Sequence, residues 1–460
     1  MRRTIVVIGA NAAGMMAAIS ARGTDDGAEV TVVAPEIVSY RRPGIPGLIA
    51  GYISEASEIR IFSAQTLARH NIKYRRGRAT GMDAEKKTIT IEEDGKTDSL
   101  GYDAAVIATG GNPSLPKIPG AEKRGVCTFT TFEAASEIIE MAAKADNTVV
   151  VGAGFIALEI AESLMRRGLE VYFNVRSRIL RRLVEPEVSQ FLSRKFEQRG
   201  LKMLTGEAIS EIGGDGRVEY VVHKGRKIQT PFVVMGAGVK PNVKLAEICG
   251  IELGPTGAIK VDGRMRTSVA DVYAVGDCAE SPDLHTGRFV YSPVGSIGAL
   301  AGRIAGCNAA GGGEETKGFL RAQADEILGM QIFSIGHTST TAKEIELPIE
   351  VYDLRPPARV EGSGAAEKFE TAKLLTDAED RIVGAQLVAR HYGSQYAWQL
   401  YRAVQDAEDR DRFLERFNSP RMRIAEAMAQ VVRSSLVIES PEQDNFLSWQ
   451  RAFSEKAESQ

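Results

Sequence analysis

The stretch Thr4-Ile-Val-Val-Ile-Gly9-Ala-Asn11-Ala-Ala13-Gly14 decides how this chain folds. Its short run of β-branched residues is apolar on both faces, which is typical of a strand at the centre of a parallel sheet. Gly9 permits a sharp turn, and Gly14 lets the following helix pack close to the sheet. The N–H groups at the start of that helix would face a pyrophosphate, which the helix dipole also stabilises. The stretch therefore predicts a nucleotide-binding β-α-β unit.

A second stretch, Thr148-Val-Val-Val-Gly152-Ala-Gly154-Phe155-Ile156-Ala157, has the same pattern. Ala157 takes the third glycine place, which needs only close packing. Both stretches continue through a helix into a further strand, which begins at Glu29 in the first and at Glu170 in the second. The sequence therefore predicts the α/β class, with two doubly wound Rossmann-like domains.

The second strand of each unit should end beside a ribose. In the first unit we expect Glu36, 22 residues after Gly14, to bind the ribose hydroxyls. In the second unit residues 171–184 contain no acid but include Arg176 and Arg178. Because arginine accommodates the 2′-phosphate of NADPH, we expect NADPH to be preferred or at least accepted. The alternative interpretation is a solvated basic surface turn.

The bulk composition excludes several classes of protein. The 460 residues are 43% hydrophobic and 25% charged with a net charge of −3, so no general affinity for nucleic acid or anionic membrane is expected. The length fits two to four domains. The sequence contains neither a signal-peptide pattern nor a run of about 18 apolar residues, so we expect a cytoplasmic protein without a membrane span.

Sulfur and imidazole ligands are sparse. The cysteines form no C-x-x-C pair, so each is predicted to be a small buried apolar residue rather than part of a disulfide or metal site. The histidines do not occur at metal-ligand spacing, so no metal site is predicted. These residues are Cys127, Cys249, Cys278 and Cys307, and His70, His223, His285, His337 and His391.

Three further motifs accompany the two glycine loops. They span residues 102–120, which include Thr109-Gly110, residues 232–242, which include Gly238, and residues 266–280, which include Gly276-Asp277. In this order the five motifs resemble the pyridine nucleotide–disulfide oxidoreductase family, over residues 4–310 and more weakly over 319–435.

The resemblance implies a domain organisation. An FAD domain, residues 1–115 and 245–318, would be split around an NAD(P)H domain, residues 116–244. A C-terminal α+β dimerisation domain, residues 319–438, would follow, so a homodimer is expected. Its pattern indicates strands near 373–388 and helices near 397–416 and 423–434. Residues 439–460 form a polar tail.

The resemblance also assigns site residues and the cofactors FAD and NAD(P)H. Asp277 would accept a hydrogen bond from the FAD ribityl chain, and a helix beginning near Ser292 would point its N-terminus at the flavin ring. The full FAD set is Gly9, Asn11, Ala13, Gly14, Glu36, Arg42, Thr109, Gly110, Gly276 and Asp277. The NAD(P)H set is Gly152, Gly154, Phe155, Ile156, Glu159, Arg176, Arg178 and Gly238.

The redox cysteine of this family is missing. Disulfide reductases carry a C-x4-C pair, and the coenzyme A-disulfide reductase and NADH oxidase branch carries one cysteine, at whose place this chain has Pro43. Proline cannot form a thiolate or a mixed disulfide. Ser419 stands where disulfide reductases have an acid–base histidine, and serine does not carry protons near neutral pH.

The sequence Tyr40-Arg-Arg42-Pro43 is instead similar to a signature of the ferredoxin, putidaredoxin and rubredoxin reductases. These enzymes pass flavin electrons singly to small carriers and need no cysteine. Gly47 stands where they carry a lysine that pairs with the residue at Glu159. No catalytic residue is certain, and Arg42 and Glu159 are the possible ones.

We therefore expect an FAD-dependent NAD(P)H oxidoreductase in which the nicotinamide gives a hydride to FAD. The electrons would pass to a small iron–sulfur or rubredoxin-type carrier or to a partner subunit. One alternative is an NADH oxidase or coenzyme A-disulfide reductase-like enzyme, because Ser39 and Arg22 stand where that branch binds coenzyme A. Another is the flavin reductase subunit of a larger redox complex, which Phe446–Phe453 in the tail suggest. A third and weaker alternative is a protein that binds flavin as a scaffold without catalysing a reaction.

Overall fold

The structure, a computed structural model, describes residues 2–35, 39–40, 44–129, 131–356, 369–391 and 393–418. Its first part holds ten strands and three α-helices. The strands are β1 (Thr4–Ile8), β2 (Glu29–Ala34), β3 (Ser39–Tyr40), β4 (Arg60–Phe62), β5 (Ile72–Arg76), β6 (Arg78–Asp83), β7 (Thr88–Glu93), β8 (Lys96–Gly101), β9 (Ala104–Ile107) and β10 (Gly111–Pro113). The helices are α1 (Ala12–Thr24), α2 (Ile45–Ala50) and α3 (Ala64–Arg69).

The middle part contains the second predicted nucleotide-binding β-α-β unit, called the second nucleotide unit below. Its elements are β11 (Val126–Thr128), α4 (Phe132–Ala142), β12 (Asn147–Gly152), α5 (Phe155–Arg166), β13 (Glu170–Val175), α6 (Pro186–Gln198), β14 (Lys202–Thr205), β15 (Glu211–Gly213), β16 (Tyr220–His223), β17 (Arg226–Gln229), β18 (Val233–Gly236) and β19 (Val239–Pro241). Strands β11-β18-β12-β13-β14 form a parallel five-stranded sheet in that order.

The last part returns to the first sheet and then forms a further one. Its elements are α7 (Lys244–Ile248), β20 (Val272–Ala274), β21 (Ser281–Pro282), β22 (Phe289–Val290), α8 (Gly295–Ala309), β23 (Ala322–Ile327), β24 (Met330–Gly336), α9 (Ser339–Glu344), β25 (Glu350–Asp353), β26 (Thr371–Thr376), β27 (Ile382–Ala389), α10 (Gly393–Gln405) and α11 (Arg410–Asn418).

The first parallel sheet combines distant parts of the chain. Its order is β20-β9-β1-β2-β5, so the strand at 272–274 pairs with β9 although the whole second unit lies between them in sequence. Its central strand β1 is buried along almost its whole length, as its uniformly apolar sequence predicts. The α/β class with two parallel Rossmann-like cores is confirmed.

Helices α1 and α8 pack against each other through small residues. A Cβ on Gly302 would lie 2.2 Å from the Ala13 carbonyl oxygen, and one on Gly306 would lie 2.0 Å from that of Ala17. Only glycine allows so close an approach of two helix backbones. This contact holds α8 close to α1, the helix that follows the first glycine loop.

The C-terminal sheet is antiparallel, in the order β23-β24-β27-β26-β25. The aromatic and aliphatic faces of α10 and α11, which include Leu400, Phe413 and Phe417, are buried against it. The helical stretch predicted at 397–416 is interrupted, because Ala407 has a φ of +46° and ends the first helix. The second predicted stretch, 423–434, lies outside the described residues. In the part of the chain that the structure describes, every helix is too short or too polar to cross a bilayer.

Candidate active site

The first glycine loop leaves no room for side chains. Gly9 has a φ of +118°, and a Cβ there would lie 2.1 Å from the Ala108 carbonyl oxygen. A Cβ on Gly14 would lie 2.1 Å from the carbonyl oxygen of Gly9 itself. Asn11 is the N-cap residue of α1, and its side chain makes no capping hydrogen bond to the helix. The N–H groups at the start of α1 are therefore not capped by that side chain, as a site for a pyrophosphate requires.

The loop around Asp277 lies beside this first loop. Gly276 has a φ of +76°, and a Cβ there would be 2.9 Å from the Cβ of Ala13. The Cβ of Asp277 is 3.4 Å from the Cβ position of Gly111, where the chain leaves the first sheet. The loops that carry Asp277 and Ala13, which are 264 positions apart in sequence, are therefore adjacent in the fold.

Thr109 and Gly110 lie where the two nucleotide units meet. The Thr109 hydroxyl donates to the carbonyl oxygen of Asn242 at 2.7 Å, and the Asn242 N–H donates to the Gly110 carbonyl oxygen at 2.9 Å. Strands β10 and β19 pair antiparallel at this crossing. The hydrogen bonds fix the orientation of one unit relative to the other.

The second glycine loop is built like the first. A Cβ on Gly152 would lie 2.5 Å from the Gly236 carbonyl oxygen. Gly154 caps α5 without a side chain, so the first N–H groups of that helix receive no side-chain cap. Ile156 on the first turn is 44% exposed, so its side chain is accessible to a ligand.

A cavity of about 2,670 Å³ lies between the nucleotide units and the C-terminal sheet. Five of the predicted NAD(P)H residues line it, namely Gly154, Phe155, Ile156, Glu159 and Gly238. The first residues of α8, Gly295 and Ser296, face the same space. The structure therefore brings the second glycine loop and the positive end of α8 to one cavity.

The two arginines predicted to bind a 2′-phosphate have different surroundings. The Arg178 guanidinium donates to the carbonyl oxygens of Val184 and Arg181, at 2.6 and 3.0 Å, and to the Thr340 hydroxyl at 3.1 Å. It therefore connects its own loop to α9. Arg176, at the end of β13, is exposed.

Gly47 stands where the related reductases carry the lysine that pairs with the residue at Glu159, and its surroundings are crowded. Gly47 is buried in α2, which packs on the helix that carries Glu159, and a Cβ there would lie 2.6 Å from the Cδ1 of Ile53. A larger residue at this position would therefore require the side chains of Ile53 and Tyr52 to move.

All four cysteines lie within the described residues and are free. Cys127 and Cys278 are buried, and burial raises the pKa of Cys127 to about 12 and also raises that of Cys278. Cys249 and Cys307 are partly buried, and burial raises the pKa of Cys249. None of the four lines the cavity. The predicted burial therefore holds for two of the four cysteines.

Several predicted residues fall outside the described residues. These are Glu36, Arg42, Pro43, the Ser419 position and the tail residues Phe446–Phe453. Their roles remain predictions.

Sequence reasoning missed one cluster, of which Asp283 and His337 line the cavity. Asp283, His285 and His337 each place a possible ligand atom within 4.8 Å of the others. His337 is 52 positions away from His285, so no local spacing pattern could have revealed the group.

A partly buried cation was also missed. Burial lowers the pKa of Arg321, on the same cavity wall, to about 10, helped by the neighbouring charge of Arg182.

Comparison with known proteins gives a consistent answer. The model of the pyridine nucleotide-disulphide oxidoreductase family matches residues 3–288. An NADH oxidase of Methanocaldococcus jannaschii is 30% identical over 390 residues, which are 83% of this chain and 87% of that protein. A CoA-dependent NAD(P)H sulfur oxidoreductase of Pyrococcus abyssi is 31% identical over 392 residues, 84% of this chain and 87% of the relative.

A solved structure agrees. The NAD-dependent persulfide reductase from A. fulgidus has a TM-score of 0.84 and 33% identity, over 89% of this chain and 78% of that one.

Proposed function

Because the chain belongs to the pyridine nucleotide-disulphide oxidoreductase family, we propose that it passes electrons from reduced flavin directly to its acceptor, without a cysteine relay. The chain is an FAD-dependent NAD(P)H oxidoreductase. The acceptor that we propose is a small iron–sulfur or rubredoxin-type protein. The observation that carries the proposal is that no cysteine lines the cavity into which the second glycine loop opens.

The glycine loops fit the two nucleotides. The backbone around Gly9 and Gly14 would hold the FAD pyrophosphate, and Asp277 would accept a hydrogen bond from the ribityl chain. FAD, when bound, supplies the chemistry that connects a two-electron donor to a one-electron acceptor. Gly154 and Gly238 would allow the nicotinamide nucleotide to approach the backbone, and the exposed Ile156 would cover it from one side. The N-terminus of α8 would stabilise negative charge on the ring.

Arginine at the end of β13 supports the use of NADPH. Arg178 is held by its own loop and α9, whereas Arg176 is exposed beside the second glycine loop. We assign contact with the 2′-phosphate to Arg176.

An anaerobic reductive titration tests the absence of a cysteine relay in the unmodified protein. Without such a relay, one equivalent of NAD(P)H should fully reduce each bound flavin. A relay cysteine that is oxidised to a sulfenate or disulfide would accept two further electrons when it is reduced to the thiol, so it would require a second equivalent. Consumption of two equivalents per flavin would contradict the proposal.

The acceptor is tested by reoxidation of the reduced enzyme under anaerobic conditions. Rubredoxin or ferredoxin should reoxidise the flavin rapidly and in steps that depend on carrier concentration. A matched Cys307→Ala variant, which changes a cysteine away from the cavity, should behave like the wild type. Slow reoxidation by every carrier would refute a protein acceptor.

Dioxygen is the second candidate acceptor, because several relatives are named NADH oxidases. Aerobic NAD(P)H consumption with a matching yield of hydrogen peroxide would favour it. Reduction of coenzyme A disulfide would favour the sulfur branch, but the Arg22 guanidinium, which that branch would use, donates to the Ala28 carbonyl oxygen at 2.6 Å. A subunit role would show as poor turnover with all soluble acceptors and co-purification of a redox partner.

A further inference from the structure

We propose that Asp283, His285 and His337 bind a divalent ion of the zinc type at the junction of the first nucleotide unit and the C-terminal sheet. Asp283 and His285 belong to the hairpin between β21 and β22, and His337 follows β24. Their ligand atoms lie within 4.8 Å of one another. Two imidazoles and one carboxylate form a donor set that suits borderline divalent ions, with further positions open to water.

Asp283 already has the geometry of a ligand. Its Oδ1 accepts hydrogen bonds from the N–H and hydroxyl of Thr286, at 3.0 and 2.8 Å, and from the His285 N–H at 3.2 Å. These bonds fix the carboxylate, and both of its oxygens lie close to His337, whose Nε2 is 3.3 Å from Oδ1. The Oδ2–Nε2 distance to His337 is 3.2 Å. That separation matches the roughly 3.3 Å between two ligands of a tetrahedral ion with bonds of about 2.0 Å.

His285 is held in the tautomer that a ligand needs. Its Nε2 is 2.7 Å from the Val404 carbonyl oxygen, so Nε2 carries the proton and donates it. Its Nδ1 then carries a lone pair, and this atom is buried without a hydrogen-bond partner among the described residues. A backbone carbonyl that orients a ligating imidazole in this way is a common feature of metal sites. A buried acceptor without a donor is costly, and an ion at Nδ1 would remove that cost.

Ion binding would require small changes only. The Nε2 lone pair of His337 must face the ion, so its ring proton must lie on Nδ1 in the metal-bound form. Asp283 and His337 both line the cavity, so a water molecule could complete the coordination from that side. Because α10 supplies Val404, the ion would fasten the hairpin to both the C-terminal sheet and its helix.

Cobalt binding tests the site on the full chain with FAD, after removal of any histidine tag. The wild type should bind one Co²⁺ per chain, with the visible bands of a four- or five-coordinate ion, and Zn²⁺ should displace it. His285→Gln and His337→Gln should weaken binding at least tenfold, because each removes an imidazole ligand. Zn²⁺ should raise the melting temperature of the wild type but not that of the two variants.

His70→Gln is the matched control, since His70 is an exposed histidine on the same cavity and outside the cluster. It should bind Co²⁺ like the wild type. Flavin content and the metal-free melting temperature of each variant verify that it is folded. The proposal is overturned if the wild type binds no Co²⁺, or if both glutamine variants bind it with wild-type affinity.

Discussion

The substitution Gly14→Ala tests whether the first glycine loop holds FAD by close backbone packing. The new methyl group would lie 2.1 Å from the Gly9 carbonyl oxygen, where ordinary contacts begin at 3.4 Å. The loop or helix would therefore have to move by about 1.3 Å, in an interior that tolerates little displacement.

Two opposing effects set the magnitude. Gly14 lies inside α1, so alanine alone would favour the helix by about 1 kcal/mol. Overpacking of a close contact costs about 1–3 kcal/mol, and an overlap this severe belongs at the upper end. The free protein can relieve the overlap by shifting the loop, whereas FAD binding requires the original loop geometry. The net cost of about 2 kcal/mol therefore appears in the binding step, as a roughly thirtyfold rise in the Kd for FAD.

Gly23→Ala is the control on the same helix. A Cβ at Gly23 meets no atom within 4 Å, so this variant should be slightly stabilised and should bind FAD normally. Gly306→Ala adds a second control, since its clash with the Ala17 carbonyl oxygen lies farther along the helix pair. That variant should melt earlier but lose less FAD affinity than Gly14→Ala. Titration of apoprotein with FAD and thermal scans provide the measurements. A wild-type Kd for Gly14→Ala would refute the reasoning.

The remaining predictions concern charged residues. Arg176→Ala should lower kcat/KM for NADPH about tenfold or more and leave kcat/KM for NADH unchanged. An equal loss with both nucleotides would contradict the assignment of Arg176 to the 2′-phosphate. Arg178→Ala should instead mainly lower the melting temperature. In metal-free protein, burial acts to raise the pKa of Asp283, but the hydrogen bond and charge of His337 outweigh it and lower the pKa to about 2. The resulting stabilisation of the folded protein, on the order of 2 kcal/mol, is present above pH about 4 and is lost as the pH falls toward about 2. Asp283→Asn should therefore make the free energy of unfolding depend less on pH between about 4 and about 2. Glu185→Ala should destabilise the protein by about 2–4 kcal/mol, because it removes a buried carboxylate and leaves the partly buried N–H and hydroxyl of Ser339 without their acceptor. A melting temperature within 1 °C of the wild type, about the shift expected from 0.5 kcal/mol or less, would contradict it.

The sequence predicted those features that depend on local pattern. Both glycine loops were recognisable because Gly9, Gly14, Gly152 and Gly154 stand at fixed spacing between a strand and a helix. Pairing of β20 with β9 could be inferred only from a family resemblance, since no local pattern joins segments so far apart. Arg176 and Arg178 could not be distinguished, because the acceptors that surround Arg178 come from a loop and from Thr340.

The C-terminal sheet determines the shape of the cavity as much as the nucleotide units do. Glu185, at the start of α6, is 3% exposed and accepts hydrogen bonds from the N–H and hydroxyl of Ser339, while its own N–H donates to Gln386 on β27. Asp283 connects the first unit to the same sheet through His337. The sheet is therefore held from both sides by buried polar contacts, which fix distance and orientation more strictly than apolar packing does. A rigid wall of this kind suits the direct transfer that we propose, because in that case the acceptor must reach the flavin edge itself and the protein must set that distance.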